Sequence, residues 1–427
     1  MKLICRQSRL KGEVRIPGSK SHTIRAVAIA SLASGESTIR LPLDSNDTRA
    51  AVDAYRLLGA DIELRQEAWA VRGTGGKLTT PEDVIDVRNS GVTLRTGMGS
   101  CALLREGMAV LTGDEQIRRR PAGPLVQSLN DLGAKVRSTR GTGAGSGAAP
   151  FVVEGRLRGG ETTIEAVTSQ YLSALLINCP LADGDTVIHV PLLNEAPYVE
   201  ITLDWIRRHG IRLEQDDLKE FRIPGGQQYR AFDRAIPADW SSATFFLGAG
   251  ALEGNEITLR GLDMTDTQGD KAAVDYIREM GADVTAGEDV VRVRAKELIG
   301  REFDLNNTPD ALPMLAVLGC FARGETRLAN VPQARIKETD RIAVMAQELR
   351  KMGGRVEELE DGIIVHESKL RGAEVDGHGD HRIVMALAVA GCAIPGTTIV
   401  HGAEAAAVTY PEFADHLRAL GARLEPA

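Results

Sequence analysis

Apolar and polar positions along the chain fall into a pattern that repeats. Runs of small apolar residues with no polar face, such as 26–32, alternate with amphipathic helical runs and with short extended runs. Each all-apolar run opens at a polar residue: Ser21, Ser90, Ser169, Ser241, Asp310 and Asp380. Ser and Asp at these places suit a helix start. Each amphipathic run closes at Gly59, Gly133, Gly210, Gly281, Gly353 or Gly421. Glycine there suits the left-handed residue after a helix. These glycines recur at a period of about 70 residues, which marks a repeated unit. Extended runs such as 12–16, 36–41 and 186–190 flank the helices, and the alternation over 62–71 reads as a hairpin. The repeat is therefore β-α-β-α-β-β, six times over, in an α/β protein. Three repeats per domain give two domains of about 200 residues. Repeats related by rotation would gather their first-helix starts on one side of each domain. Two such faces turned together would make a cleft ringed by positive helix ends.

Length agrees, because 427 residues exceed what one core holds and suggest two or three domains. The net charge of −8 argues against a nucleic-acid surface but permits a local basic cleft. No apolar run reaches the roughly 18 residues that span a bilayer. Residues 1–5 lead straight into strand-like sequence, so no signal or transit peptide is expected. Cys5, Cys101, Cys179, Cys320 and Cys392 form no Cys-x-x-Cys pair, which disfavours zinc and dithiol chemistry and fits a reducing cytoplasm. The last four stand at equivalent depths in the apolar helices and read as small packing residues. The stretch 141–149, rich in Gly, Ala and Ser, reads as a mobile loop at a hairpin position.

Candidate chemistry lies at the helix starts. Ile16-Pro17-Gly18-Ser19-Lys20-Ser21-His22-Thr23-Ile24-Arg25 ends a strand and opens a helix, with Ser19 or Ser21 as cap. Ser21 and Arg25 are four apart and share a face. Hydroxyl, ammonium, guanidinium and free amides make an anion site, although a plain cap with solvated cations would also account for them. No Walker spacing is present. Arg88-Asn89-Ser90-Gly91-Val92-Thr93-Leu94-Arg95 opens the second apolar helix. In Arg118-Arg119-Arg120-Pro121, proline suits the first helical position and places Arg120 at a helix start. Thr168-Ser169-Gln170-Tyr171 suits a polyol or phosphate, or is simply a cap. Asp310 could be a cap or a general base. In Arg335-Ile336-Lys337-Glu338-Thr339-Asp340-Arg341, Lys337 and Arg341 share a helical face, and the bland account is an exposed ion-pair ladder. Gly379-Asp380-His381-Arg382 could be a cap with an exposed imidazole, and His378 with His381 is too sparse for a metal site. Cations at so many helix starts point to a substrate with several negative charges. Asp310 and Glu338 would then supply acid–base groups.

At these residues the chain resembles the 5-enolpyruvylshikimate-3-phosphate (EPSP) synthases, essentially end to end. The shared motifs are Pro17-Gly18-Ser19-Lys20-Ser21 with Arg25, Asn89-Ser90-Gly91 with Arg95, Arg120-Pro121, Ser169-Gln170, Pro309-Asp310, Lys337-Glu338-Thr339-Asp340-Arg341 and Asp380-His381-Arg382. The resemblance implies an inverse α/β barrel fold of two domains, 19–236 and 1–18 with 237–427. The N-terminal strands would complete the C-terminal domain, and the active site would lie in the cleft between the two. It implies transfer of enolpyruvyl from phosphoenolpyruvate to the 5-hydroxyl of shikimate 3-phosphate, with release of phosphate. Lys20, Ser21, Arg25, Thr168, Ser169, Gln170, Tyr198, Asp310, Gln333 and Lys337 would hold shikimate 3-phosphate. Lys20, Gly91, Arg120, Gln170, Arg341 and Arg382 would hold phosphoenolpyruvate. Asp310 would act at the 5-hydroxyl, Glu338 would move a proton at the methylene carbon, and Lys20 would assist. No metal and no organic cofactor is implied, nor a nucleic-acid or membrane partner, and a cytoplasmic monomer is expected.

Some positions depart from the family's habit. Many relatives have Thr and then Pro where this chain has Val92 and Thr96, which bears on sensitivity to the inhibitor glyphosate. Many have Asn at Gln333, some have Lys at Val408, and Glu195 replaces a small hydroxyl residue. One alternative is the sister UDP-N-acetylglucosamine enolpyruvyl transferases, which usually place a reactive Cys where Glu115 stands. Another is a non-catalytic anion-binding repeat protein, in which loss of Asp310 or Glu338 would be expected.

Overall fold

A computed structural model describes residues 1–141 and 147–427. The greater part of the Gly-rich stretch expected to be a mobile loop, 142–146, lies outside the described residues. The chain divides into two compact units, 20–236 and 1–19 with 237–427. Ser19, expected at the start of the first, goes with the second. Its amide donates to the Pro237 carbonyl at 2.8 Å, beside a bridge between Gly18 and Ala238.

Among the described residues the 20–236 unit holds three four-stranded sheets. One runs Asp233–Ala235, Ser34–Arg40, Ala68–Thr74, Asp61–Leu64. The next runs Ile85–Asp86, Met108–Thr112, Phe151–Glu154, Lys135–Ser138. The third runs Gly160–Ala166, Thr186–Leu193, Glu220–Ile223, Glu214–Asp216. In each, the first pair is parallel and the rest antiparallel. A parallel pair needs a crossover, and in the second and third sheets the all-apolar helix supplies it. The helices Lys20–Leu32, Gly91–Cys101 and Ser169–Asn178 are buried on nearly every side, as their lack of a polar face requires. The amphipathic helices Asn46–Leu57, Gly123–Asp131 and Ala196–Arg208 keep one face in solvent. Gly91–Cys101 packs closely on Ser169–Asn178. A Cβ at Gly99 would fall 2.4 Å from Asn178 Nδ2, so only glycine permits this approach.

The other unit repeats the plan with borrowed strands. Lys11–Arg15 pairs in parallel with Glu256–Arg260. Lys2–Arg6 lies between Thr397–His401 and Arg423–Pro426, antiparallel to both. Its buried helices are Trp240–Ala251, Leu312–Phe321 and His381–Ala393. The closing glycines Gly59, Gly133, Gly210, Gly281, Gly353 and Gly421 all have positive φ, from 94° to 114°. The five cysteines are buried.

Candidate active site

In the 20–236 unit the helix Lys20–Leu32 opens the polar corner. Lys20 Nζ lies 3.2 Å from Asp47 Oδ2, and both side chains are largely buried. Arg25 is 1% exposed. Its Nε donates to Thr202 Oγ1 (2.8 Å), its Nη1 to the Ser21 carbonyl (3.0 Å), and its Nη2 to Ser173 Oγ (3.3 Å) and the Tyr198 carbonyl (3.0 Å). Burial pulls its pKa down to about 10, against the opposing influence of the Tyr198 and Glu195 side chains, so it stays a cation at neutral pH. Ser173, Thr202 and Asp47 went unremarked in the sequence. Only the polar opening of the Asn46–Leu57 helix, with Ser45 and Thr48 as a capping box, hinted at the last of these.

Thr168 precedes the helix Ser169–Asn178 as its N-cap residue. Thr168 Oγ1, Ser169 N and Ser169 Oγ all donate to Glu195 Oε2, at 3.1, 3.1 and 2.7 Å. Gln170 points elsewhere. A Cβ built at Gly91 would lie 2.8 Å from Arg120 Nη1, 2.9 Å from Arg95 Nη1 and 3.1 Å from Gln170 Oε1. Three polar ends therefore converge on one bare helix start. Arg95 Nη2 and Tyr171 Oη both donate to the Pro121 carbonyl, at 3.0 and 2.6 Å. That anchors the segment carrying Arg120. Arg120 is not at a helix start as expected, since the helix begins at Gly123. Pro121 instead makes an antiparallel bridge with Ala148, and Arg120 closes the turn before it, its amide bonding back to Gln116 and Ile117.

In the other unit the hub is Arg341, 1% exposed. Its Nη1 donates to Asp310 Oδ1 (2.6 Å), its Nη2 to Glu338 Oε2 (2.5 Å), and its Nε to Asp380 Oδ2 (2.7 Å). Burial works to lower its pKa, and Asp380, Glu338 and Asp310 outweigh it, so the net shift is upward. Arg382 Nη2 takes the other Asp310 oxygen at 2.7 Å, and Ser241 Oγ reaches the same atom at 3.3 Å. The exposed-ladder account of 335–341 fails because Lys337 precedes the helix Arg341–Lys351, whose N-cap is Asp340, and Arg341 turns inward. Asp310 is not a cap. It lies inside the 3-10 turn Pro309–Ala311. Asp380 is a cap, accepting from the Arg382 amide at 2.8 Å, and His381 is buried rather than exposed. Gln333 is buried in the turn Pro332–Ile336, with Nε2 donating to the Asn306 carbonyl at 2.8 Å. Lys337 ends that turn, half-buried.

The EPSP synthase (3-phosphoshikimate 1-carboxyvinyltransferase) family model matches residues 4–417. The chain belongs to the EPSP synthase family. Relatives named 3-phosphoshikimate 1-carboxyvinyltransferase from Acetivibrio thermocellus and Ruminiclostridium cellulolyticum are 53% and 50% identical. They align over 99% and 100% of this chain and of their own. The solved EPSP synthase of Acinetobacter baumannii superposes with TM-score 0.83 at 25% identity, covering 100% of both chains. The enolpyruvyl transferase NikO of Streptomyces tendae, at 22% identity and TM-score 0.79 over 99% of this chain and 98% of its own, shares the fold. The sister-enzyme signature is missing. Glu115 is exposed and pairs with Arg119, and Cys101 is buried in a helix with its thiol pushed up to about 12 by burial. Among the described residues no group of three or more His, Cys, Asp or Glu is placed to hold a metal, and no helix is long and apolar enough to cross a membrane.

Proposed function

We propose that this EPSP synthase family member transfers enolpyruvyl from phosphoenolpyruvate to the 5-hydroxyl of shikimate 3-phosphate. The observation that carries the residue assignment is the meeting of Asp310, Glu338 and Asp380 on the buried guanidinium of Arg341. A proton acceptor and a proton donor held on one cation are oriented before substrate arrives. Asp310 takes the 5-hydroxyl proton as that oxygen attacks C2 of phosphoenolpyruvate. Glu338, in its protonated form, delivers a proton to the methylene carbon, which gives C2 cationic character that nearby carboxylates stabilise. Loss of a proton from the methyl group so formed, with departure of phosphate from C2, then restores the double bond in the product. Lys20, Arg120, Gln170, Arg341 and Arg382 hold phosphoenolpyruvate, with Gly91 leaving room for it. Ser21, Arg25, Thr168, Ser169, Gln170 and Tyr198 hold the acceptor with Lys20, Lys337 and Gln333. The chain acts as a cytoplasmic monomer without metal or organic cofactor.

The test is phosphate release from phosphoenolpyruvate, with a chelator present. Turnover is expected with shikimate 3-phosphate and not with UDP-N-acetylglucosamine. Comparable turnover with the nucleotide sugar would overturn the acceptor assignment.

A further inference from the structure

Glu195 stands just ahead of the helix Ala196–Arg208, 2% exposed, with left-handed backbone at φ 60° and ψ 40°. Its Oε2 takes three hydrogen bonds, from Thr168 Oγ1, Ser169 N and Ser169 Oγ. Bonds to an ionised acceptor are the strong kind. They come from the start of the buried helix Ser169–Asn178, where free amides and the dipole favour an anion. The Glu195 charge is also felt by the buried Arg25 guanidinium, which it helps to keep protonated. This corner therefore holds an anion supplied by the chain.

A phosphate brought to Thr168 and Ser169 meets those donors in use and a like charge beside them. We infer that Glu195 is an internal occupant of the acceptor-phosphate subsite. Its carboxylate holds Thr168 and Ser169 until a phosphate displaces it, and so sets acceptor affinity. The inference rests on the reading above that these two residues receive the acceptor's phosphate. The displaced bonds weaken acceptor binding and leave phosphoenolpyruvate binding alone, because Gly91 and Arg120, which bear on phosphoenolpyruvate only, meet at the start of a different helix. Inorganic phosphate, competing with the acceptor for the same donors, meets the same obstacle.

Steady-state kinetics of E195Q and E195S test this, with S169A alongside. Glutamine keeps the shape and removes the charge, and serine removes both. The expected result is a fall in KM for shikimate 3-phosphate of about tenfold, the order of one charge-assisted hydrogen bond, in both Glu195 variants. KM for phosphoenolpyruvate should stay within about twofold, and the inhibition constant of inorganic phosphate against the acceptor should fall in parallel. An acceptor KM that is unchanged or raised in E195Q and E195S, while S169A raises it, overturns the inference and leaves the phosphate assignment standing. An acceptor KM unmoved by S169A overturns the assignment itself, whatever Glu195 does.

Discussion

Asp310 is held by two guanidiniums, Arg341 and Arg382, and Glu338 by one of them. Replacing either carboxylate therefore changes both chemistry and architecture, and the two effects separate by measurement. D310N and E338Q keep side-chain size and lower kcat by at least about a hundredfold, the usual contribution of a positioned acid or base. Binding of shikimate 3-phosphate, followed by calorimetry, should persist in E338Q. A kcat within a few-fold of the parent would return that residue to a purely structural role. Arg341 allows a further check. Three of its nitrogens serve three different carboxylates, which a lysine cannot do from one ammonium. R341K should thus lose activity nearly as fully as R341A. The cysteines give the opposite expectation. Burial pushes the thiols of Cys101, Cys179 and Cys320 up to about 12. The thiolate is the reactive species. Iodoacetamide at pH 8 should leave turnover intact, and rapid inactivation would mean that a thiol takes part.

At the scale of the element, the helix Gly91–Cys101 joins the candidate site to the core. Gly91 faces Arg120, Arg95 and Gln170, while Val92 and Thr96 are buried, at 9% and 1% exposure. Thr96 Oγ1 donates to the Val92 carbonyl at 2.8 Å, and the Thr96 carbonyl accepts from Asn178 Nδ2 at 3.3 Å. The two residues thus set the pitch of the first turn and its seat against the neighbouring helix, one step from Gly91. Proline at 96 would remove both the hydroxyl bond and a helix amide. Glyphosate is longer than phosphoenolpyruvate, so a small shift of Gly91 weighs more on the inhibitor. The ratio of glyphosate inhibition constant to phosphoenolpyruvate KM should be higher in the parent than in V92T/T96P. An equal ratio would mean that the helix absorbs both changes. This helix also marks how far the sequence could be read. Its start, its apolar character and the glycine closing the following helix were all visible, because capping and periodicity are local. The place of Arg120 was not. Pro121 resembles a helix opener until its bridge to Ala148, 27 positions on, is known. The ion cluster at Arg341 escaped for the same reason. Spacing suggests a solvated ladder, whereas the partners that draw the guanidinium inward, Asp310 and Asp380, lie 31 and 39 residues away.

At the scale of the whole molecule, the sixfold repeat was legible from its glycines, but periodicity does not say which strand completes which sheet. The chain order makes the 237–427 unit depend on its first 19 residues. Lys2–Arg6 is an inner strand, and Lys11–Arg15 extends a second sheet. With them come Leu3, Leu10, Val14 and Ile16, each 5% exposed or less. Burial of such side chains contributes about 1.5–3 kcal/mol each. Together they approach the whole stability of a typical domain, about 5–15 kcal/mol. Loss of Lys2–Arg6 would also leave Thr397–His401 and Arg423–Pro426 with bare edges, which invites aggregation. The segment 237–427 alone is thus expected not to fold. The chain ends suggest the remedy. Lys2 and Ala427 exchange both backbone hydrogen bonds, at 2.9 Å each, so a short glycine linker from 427 to 1 needs no rearrangement. The exposed pair between the N-terminal amine and Glu404 would be lost at little cost. A polypeptide of 237–427 followed by 1–19 should show a single cooperative thermal transition by circular dichroism. So should the contiguous segment 20–236, which carries all the strands of its three sheets. If 237–427 without residues 1–19 melts as cooperatively and as high as the rearranged chain, the borrowed strands are ornament rather than core. The domain plan built on them would then be wrong.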